Sequence, residues 1–195
     1  MVRRSGDQEV PAGQAENPEA VARQICLRML TAAPRTRAQL ADALRRRGVP
    51  AEAAEAVLGR FGEVKLIDDA AFAAAWVETR HHGKGLSGRA LAAELAHRGV
   101  PPEDIEAAIG RLDSRQEIAT ARGLVARRLA STRGQPLNAR TRRLTGMLAR
   151  KGYSPAIAYR VVREALEQEG IDPAATGVDL DDPPEAETDL HFTQW

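Results

Sequence analysis

Cysteine is almost missing: Cys26 is the single one in 195 residues. One thiol cannot form an internal disulfide or a cysteine zinc site. Its apolar setting predicts a small core residue rather than a nucleophile. Aromatic side chains make up only 4%, although apolar residues reach 43%, much of it alanine. A core of that kind is thin and built of Ala, Leu and Val, which suits closely packed helices better than stacked sheets. β-Branched residues rarely cluster or alternate, so strand signals are nearly absent. No apolar run approaches the roughly 18 residues of a membrane span. The start MVRRSGDQEV lacks a signal peptide's apolar stretch. The expectation is a cytoplasmic protein with no membrane partner. Lysine is scarce as well: Lys65, Lys84 and Lys151 stand against 25 arginines. Alongside so much alanine, that bias fits coding composition, so an arginine is not a functional residue by type alone.

What is present is unevenly distributed. The net charge is only +1, yet residues 113–151 hold ten basic and two acidic residues. Residues 171–195 hold seven acidic residues and no basic one. A block of +8 suits a polyanion or an acidic protein surface. The tail of −7 is complementary to that block and could fold back on it.

An internal repeat organises the chain. RAQLADALRRRGVPAEAAEAVLGRF (37–61), GRALAAELAHRGVPPEDIEAAIGRL (88–112) and TRRLTGMLARKGYSPAIAYRVVREAL (141–166) align without gaps. Leu40, Leu91 and Leu144 correspond, as do Leu44, Leu95 and Leu148, then Gly48, Gly99 and Gly152. Leucines four apart share a helix face. Each glycine follows a basic last turn, as a residue free to take positive φ just past a helix end. A proline follows within three residues, tolerated at the next helix start. A further helical stretch precedes each pair, at about 18–32, 69–82 and 114–131. The expected fold is all-α: a tandem array of three three-helix repeats in an elongated curved stack. The repeats are expected at 18–62, 63–112 and 113–170. Residues 1–17 and 171–195, rich in polar residues, Pro and Gly, are expected to be disordered tails.

Residues 66–85, LIDDAAFAAAWVETRHHGKG, gather acids, histidines and glycines as a catalytic site would. Asp68 instead fits a helix N-cap, with Asp69 at the positive helix end. Ile67 and Phe72 have staple spacing. Phe72, Ala75, Trp76 and Thr79 predict one buried stripe. His81 and His82 are adjacent and point about 100° apart, a poor metal pair. The glycines lack a preceding strand and a phosphate-loop pattern. No catalytic residue, metal site or cofactor is expected. Arg80, Lys84 and Arg89 remain as a basic connection suited to a partner.

The segment D-D-A-A-F-A-A-A-W-V-E-T-R (68–80), the Gly-Lys-Gly connection and L-A-A-E-L-A-H-R-G-V-P-P-E-D-I-E-A-A-I (91–109) resemble the RecX family, bacterial regulators of the RecA recombinase. The resemblance covers about 21–168. It implies a helical array that binds RecA nucleoprotein filaments and restrains their ATPase, strand-exchange and coprotease activities without chemistry of its own. It also implies single- or double-stranded DNA as a further partner. The third repeat departs from the central motif, with Ile118 and Leu124-Val125 in place of the aromatics. The residues agree with a binder, since no nucleophile–base pair is visible. A curved array of this kind offers a polymer a long surface. Arg115 and Arg122 share a helix face, as do Arg143 and Arg150. Arg127 and Arg128 cannot share one. The expected partner-binding residues are Arg80, Lys84, Arg89, Arg115, Arg122, Arg142, Arg143, Arg150 and Lys151. Asp68, Phe72, Trp76, Gly48, Gly99 and Gly152 are expected to be structural. A DNA-binding helical module without RecA specificity is the alternative, and a monomer is expected.

Overall fold

The structure, a computed structural model, describes residues 17–171. The two expected tails therefore lie, apart from Asn17 and Ile171, outside the described residues. Those residues form nine α-helices and one 3₁₀ turn, with no strand among them, so the all-α expectation holds. The chain divides after Asp68 into two compact units.

The first unit holds α1 (Pro18–Ala32), α2 (Arg37–Arg46) and α3 (Ala51–Glu63). Asn17 caps α1, and Thr36 opens α2 with a reciprocal box: its hydroxyl accepts from Gln39 N at 3.2 Å, and Thr36 N donates to Gln39 Oε1 at 3.3 Å. Such caps satisfy helix-end donors that otherwise lack partners. The core gathers Leu40, Leu44, Val57, Leu58 and Phe61 with the buried Cys26, whose thiol pKa burial pushes up. Ile67 also enters this core.

The second unit holds two three-helix groups. One is α4 (Asp69–Lys84), α5 (Gly88–His97) and α6 (Pro102–Ile109). The other is α7 (Ser114–Leu129), α8 (Leu137–Arg150) and α9 (Pro155–Gln168), with the 3₁₀ turn Ala130–Thr132 after α7. Each group has its own apolar cluster.

The aligned residues do the same work in each group. The six leucines at 40, 44, 91, 95, 144 and 148 are at most 1% exposed. Gly48, Gly99 and Gly152 take φ of 73°, 73° and 87°. In each turn the residue after the glycine donates back to the second leucine's carbonyl: Val49 to Leu44, Val100 to Leu95 and Tyr153 to Leu148, each at 3.2 Å. This closure satisfies a helix-end carbonyl and turns an apolar side chain inward.

α4 departs from the expected stripe. Its buried residues are Ala73, Val77 and His81, while Ala75 and Thr79 are exposed and Phe72 and Trp76 only half-buried. α4 packs against both α5 and α6. The small Ala73 is fully buried there, and the larger rings of Phe72 and Trp76 stay half-buried. Ile67 belongs to the first unit's core, and in the second unit Phe72 stacks on Trp76 at 5.6 Å. Asp68, immediately before α4, pairs with Lys65 at 3.5 Å.

The three aligned glycines are not equally constrained. A Cβ on Gly48 would meet nothing within 4 Å. On Gly152 it would lie 2.5 Å from Ser87 Oγ, 2.6 Å from Ala90 Cβ and 3.1 Å from Ala90 N. Gly170, in the same unit with φ of 79° and open space, isolates the cost of the left-handed conformation. Gly170→Ala should cost about 1 kcal/mol. Gly152→Ala should cost about 2 kcal/mol more, from forced overpacking. Urea denaturation followed by circular dichroism measures both, and equal shifts would remove the steric argument.

Candidate functional site

The close approach at Gly152 is one point of a polar joint between the two groups of the second unit. Ser87 caps α5 through its hydroxyl, which accepts from Ala90 N at 3.3 Å. Ser87 N donates to Lys151 O at 3.0 Å. Arg89 Nε donates to Gly152 O at 3.1 Å, and Gly88 N donates to Glu117 Oε1 at 2.8 Å. Lys151 Nζ donates to Lys84 O, the last carbonyl of α4, at 2.6 Å. A cation at a helix C-terminus opposes the helix dipole. Tyr153 OH donates to Gly85 O at 3.2 Å. Burial, with a smaller contribution from the Glu117 charge, pushes the Tyr153 pKa up to about 12. The phenol therefore stays a donor across the ordinary pH range.

His81 completes the joint. It is 1% exposed. Its Nδ1 lies 2.9 Å from Leu86 O, and its Nε2 lies 3.0 Å from Thr120 Oγ1. A carbonyl only accepts, so Nδ1 carries the proton there, and Nε2 shares a hydrogen bond with the Thr120 hydroxyl. This histidine holds α4, the connection after it and α7 in one register. Sequence reasoning weighed the histidines as metal ligands, as catalytic groups and as partners of the last α4 carbonyls, and it missed the link to Thr120. Among the described residues no cluster of three or more His, Cys, Asp or Glu could hold a metal.

Beside the joint, the end of α4, the connection after it, α7 and α8 enclose a cleft of about 940 Å³. From α7 it is lined by Gln116, Ala119, Thr120, Gly123, Leu124 and Arg127. Those positions follow helical spacing on one face. Small Ala119 and Gly123 leave the space open. Gly85, at φ of 62°, packs so closely that a Cβ would sit 3.0 Å from Leu124 Cδ1. The charged lining residues are Lys84, Arg127, Arg150 and Lys151, and no carboxylate joins them. In a concave wall, like charges focus the field on an incoming anion.

Of the nine expected contact residues, this geometry brings three together: Lys84, Arg150 and Lys151. It adds Arg127, which lies eleven residues after Gln116 on the same face. The stripe Gln116, Thr120, Gly123, Arg127 was the signal available in the sequence. Arg80 belongs to a separate cluster. Its guanidinium lies 4.2 Å from the Trp76 ring centre, Arg98 lies 3.8 Å from it, and Trp76 Nε1 donates to Glu94 at 2.8 Å. Arg89 serves the joint. Arg115, Arg142 and Arg143 are exposed and do not line the cleft.

Arg122, which spacing paired with Arg115, turns to α9 and meets Glu164 at 2.9 Å. That hydrogen bond, first among the causes, holds the Glu164 carboxyl below its usual range and raises the Arg122 pKa. Arg133 meets Glu169 at 2.8 Å, and the buried Arg140 meets the same carboxylate. Hydrogen bonds from Arg140 and then Arg133 hold the Glu169 carboxyl below its usual range. Within the basic block, Arg122, Arg133 and Arg140 are thus met by Glu164 and Glu169, while Arg127, Arg150 and Lys151 face the cleft.

Comparison with known proteins follows the same repeats. The model of the first three-helix domain of RecX matches residues 22–61, that of the second 68–109 and that of the third 115–162. The chain is 60% identical over 173 residues to a regulatory protein RecX of Thermobifida fusca, covering 87% of this chain and 94% of that one. It is 46% identical to one of Mycolicibacterium smegmatis, covering 83% and 90%. The crystal structure of RecX from Lactobacillus salivarius has the same fold, with a TM-score of 0.69 at 17% identity over 75% of this chain and 96% of that one. The chain belongs to the RecX family of regulatory proteins.

The Glu169 contacts carry a pH dependence. A carboxyl pKa lowered in the folded state stabilises fully above its unfolded value and loses that contribution as pH falls through the folded one. Glu169→Gln should therefore lower the urea midpoint at pH 7, because it leaves Arg140 buried without its anion. Below about pH 4, where the unfolded carboxyl is itself protonated, the difference from the parent should shrink. A constant difference across pH would show that the charge contributes nothing.

Proposed function

We propose that this chain binds the RecA nucleoprotein filament as a monomer and restrains its ATPase, strand-exchange and coprotease activities. The reading rests on membership of a regulatory family and on one structural observation: a cleft with four cations and no carboxylate. An acidic groove of a protein filament and the phosphates of its DNA are both ligands of that chemistry. Lys84, Arg127, Arg150 and Lys151 are the primary contacts in this proposal. Exposed Arg142 and Arg143 on α8 extend the basic surface, and Arg115 adds charge at the start of α7. Arg80 and Arg98, held on Trp76 beside Glu94, form a second ordered cationic surface. Rigid aromatic and arginine anchors are the common carriers of binding energy at protein interfaces. Arg122, neutralised by Glu164, and Arg89, spent on Gly152 O, contribute less than their charge suggests.

DNA binding without RecA specificity is the second reading, favoured by the same cleft, because phosphates need only fixed cations. Binding to free DNA separates the two. Binding to free DNA through a few phosphate contacts falls steeply with salt, with the logarithmic slope changing by about one for each contact removed.

The test is RecA ATPase on single-stranded DNA with stoichiometric added protein. Arg127→Glu with Arg150→Glu should abolish inhibition while the circular dichroism spectrum is kept. Arg122→Gln should weaken inhibition little. Absence of any effect by the parent protein would sink the RecA reading. Undiminished inhibition by the double variant would remove the cleft from it.

A further inference from the structure

We infer that the cationic cleft of the second unit is the docking site of the chain's own acidic segment, residues 172–195, which competes there with an outside polyanion. The inference rests on the reading of the cleft as an anion-binding surface and adds its regulation. The segment follows Ile171, which packs against the core of α7, α8 and α9. It therefore departs from the body that supplies Arg127, Arg150 and Lys151. Its acids are Asp172, Asp179, Asp181, Asp182, Glu185, Glu187 and Asp189, with no lysine or arginine.

Reach does not limit the contact. Twenty-four residues extend to about 80 Å, while a body of about 100 residues has a radius of gyration of about 13 Å. The choice of receptor surface follows from the charges. On the α9 side, Glu164 and Glu169 already meet Arg122, Arg133 and Arg140, so a further anion there would face carboxylates. The cleft has four cations and no carboxylate lining. A tether turns docking into an intramolecular event, which an outside ligand must outcompete.

Carbodiimide coupling of the full chain tests the contact directly, because it joins lysine to carboxylate at zero length. The chain has three lysines: Lys84 and Lys151 line the cleft, and Lys65 lies in the first unit. At about 50 mM salt, where charge contacts are strong, digestion and mass spectrometry should find Lys84 or Lys151 joined to acids of 172–195 within single molecules. The links should vanish at about 1 M salt, where screening is short-ranged, and in the Arg127→Glu and Arg150→Glu double variant. Equal coupling to Lys65, coupling only between molecules, or none at all would overturn the inference. A second arm replaces the seven carboxylates with amides in the full chain. Binding of a single-stranded oligonucleotide at low salt should then tighten about fivefold or more, and unchanged affinity overturns the competition. Coupling needs no RecA. Intact cleft-to-tail links in a protein that leaves RecA unaffected would sink the functional reading and leave the docking intact.

Discussion

The second unit depends on one close approach, the Gly152 turn against the start of α5. Two requirements coincide at that residue. Its φ of 87° closes α8, and its missing Cβ admits Ser87 and Ala90. An ordinary residue could meet the first requirement at modest strain, but it could not meet the second without moving backbone. Once the turn is seated, its neighbours are placed. The Lys151 carbonyl takes the Ser87 amide, the Lys151 ammonium takes the Lys84 carbonyl, and the Tyr153 hydroxyl takes the Gly85 carbonyl. The connection after α4 is therefore tied through its main chain, which leaves the Lys84 side chain exposed beside Arg150 and Arg127.

The same geometry sorts the charges of the basic block. Residues 113–151 are strongly basic in sequence, yet Glu164 on α9 and Glu169 just after it meet one side of the block. Arg140 is nearly buried and would be costly without Glu169. Those arginines belong to the stability of the third repeat. Those facing the cleft have no such partner lining it, and they sit around a floor of Ala119, Gly123 and Gly83. Small residues there keep the wall concave, so the cations act on one volume rather than on separate patches.

Much of the fold was legible because the deciding signals are local. Leucines four apart, a glycine after a basic turn and a proline shortly after it specify helix, closure and helix within a few residues. They recur three times. The RecX resemblance rested on the same stretches that the family models match. α4 was misread because an alanine-rich helix offers two stripes one residue apart, and size pointed to the wrong one. The buried face of α4 uses Ala73 and Val77, with the larger rings left half-buried. The cleft was legible only in part. Lys84, Arg150 and Lys151 stood out as basic residues near helix ends. Arg127 depends on which face of α7 turns toward α4, and His81 depends on Thr120, 39 residues away. No window of sequence contains those pairings.

The joint and the cleft share residues, and that sharing has a thermodynamic consequence. Lys151 lines the cleft while its ammonium holds the last carbonyl of α4. An anion that draws the ammonium toward itself competes with that carbonyl, so it must offer more than the hydrogen bond it replaces. Arg127 and Arg150 carry no comparable duty among the described residues, so they can turn to a ligand without loosening the joint. Binding through Lys151 is therefore coupled to the geometry between the second and third repeats, and by linkage that geometry feeds back on affinity. Binding through Arg127 and Arg150 is free of that coupling. An occupant that uses all four cations feels both effects: an arginine pair that can turn to it without cost to the joint, and a lysine that reports its arrival to the repeat before it.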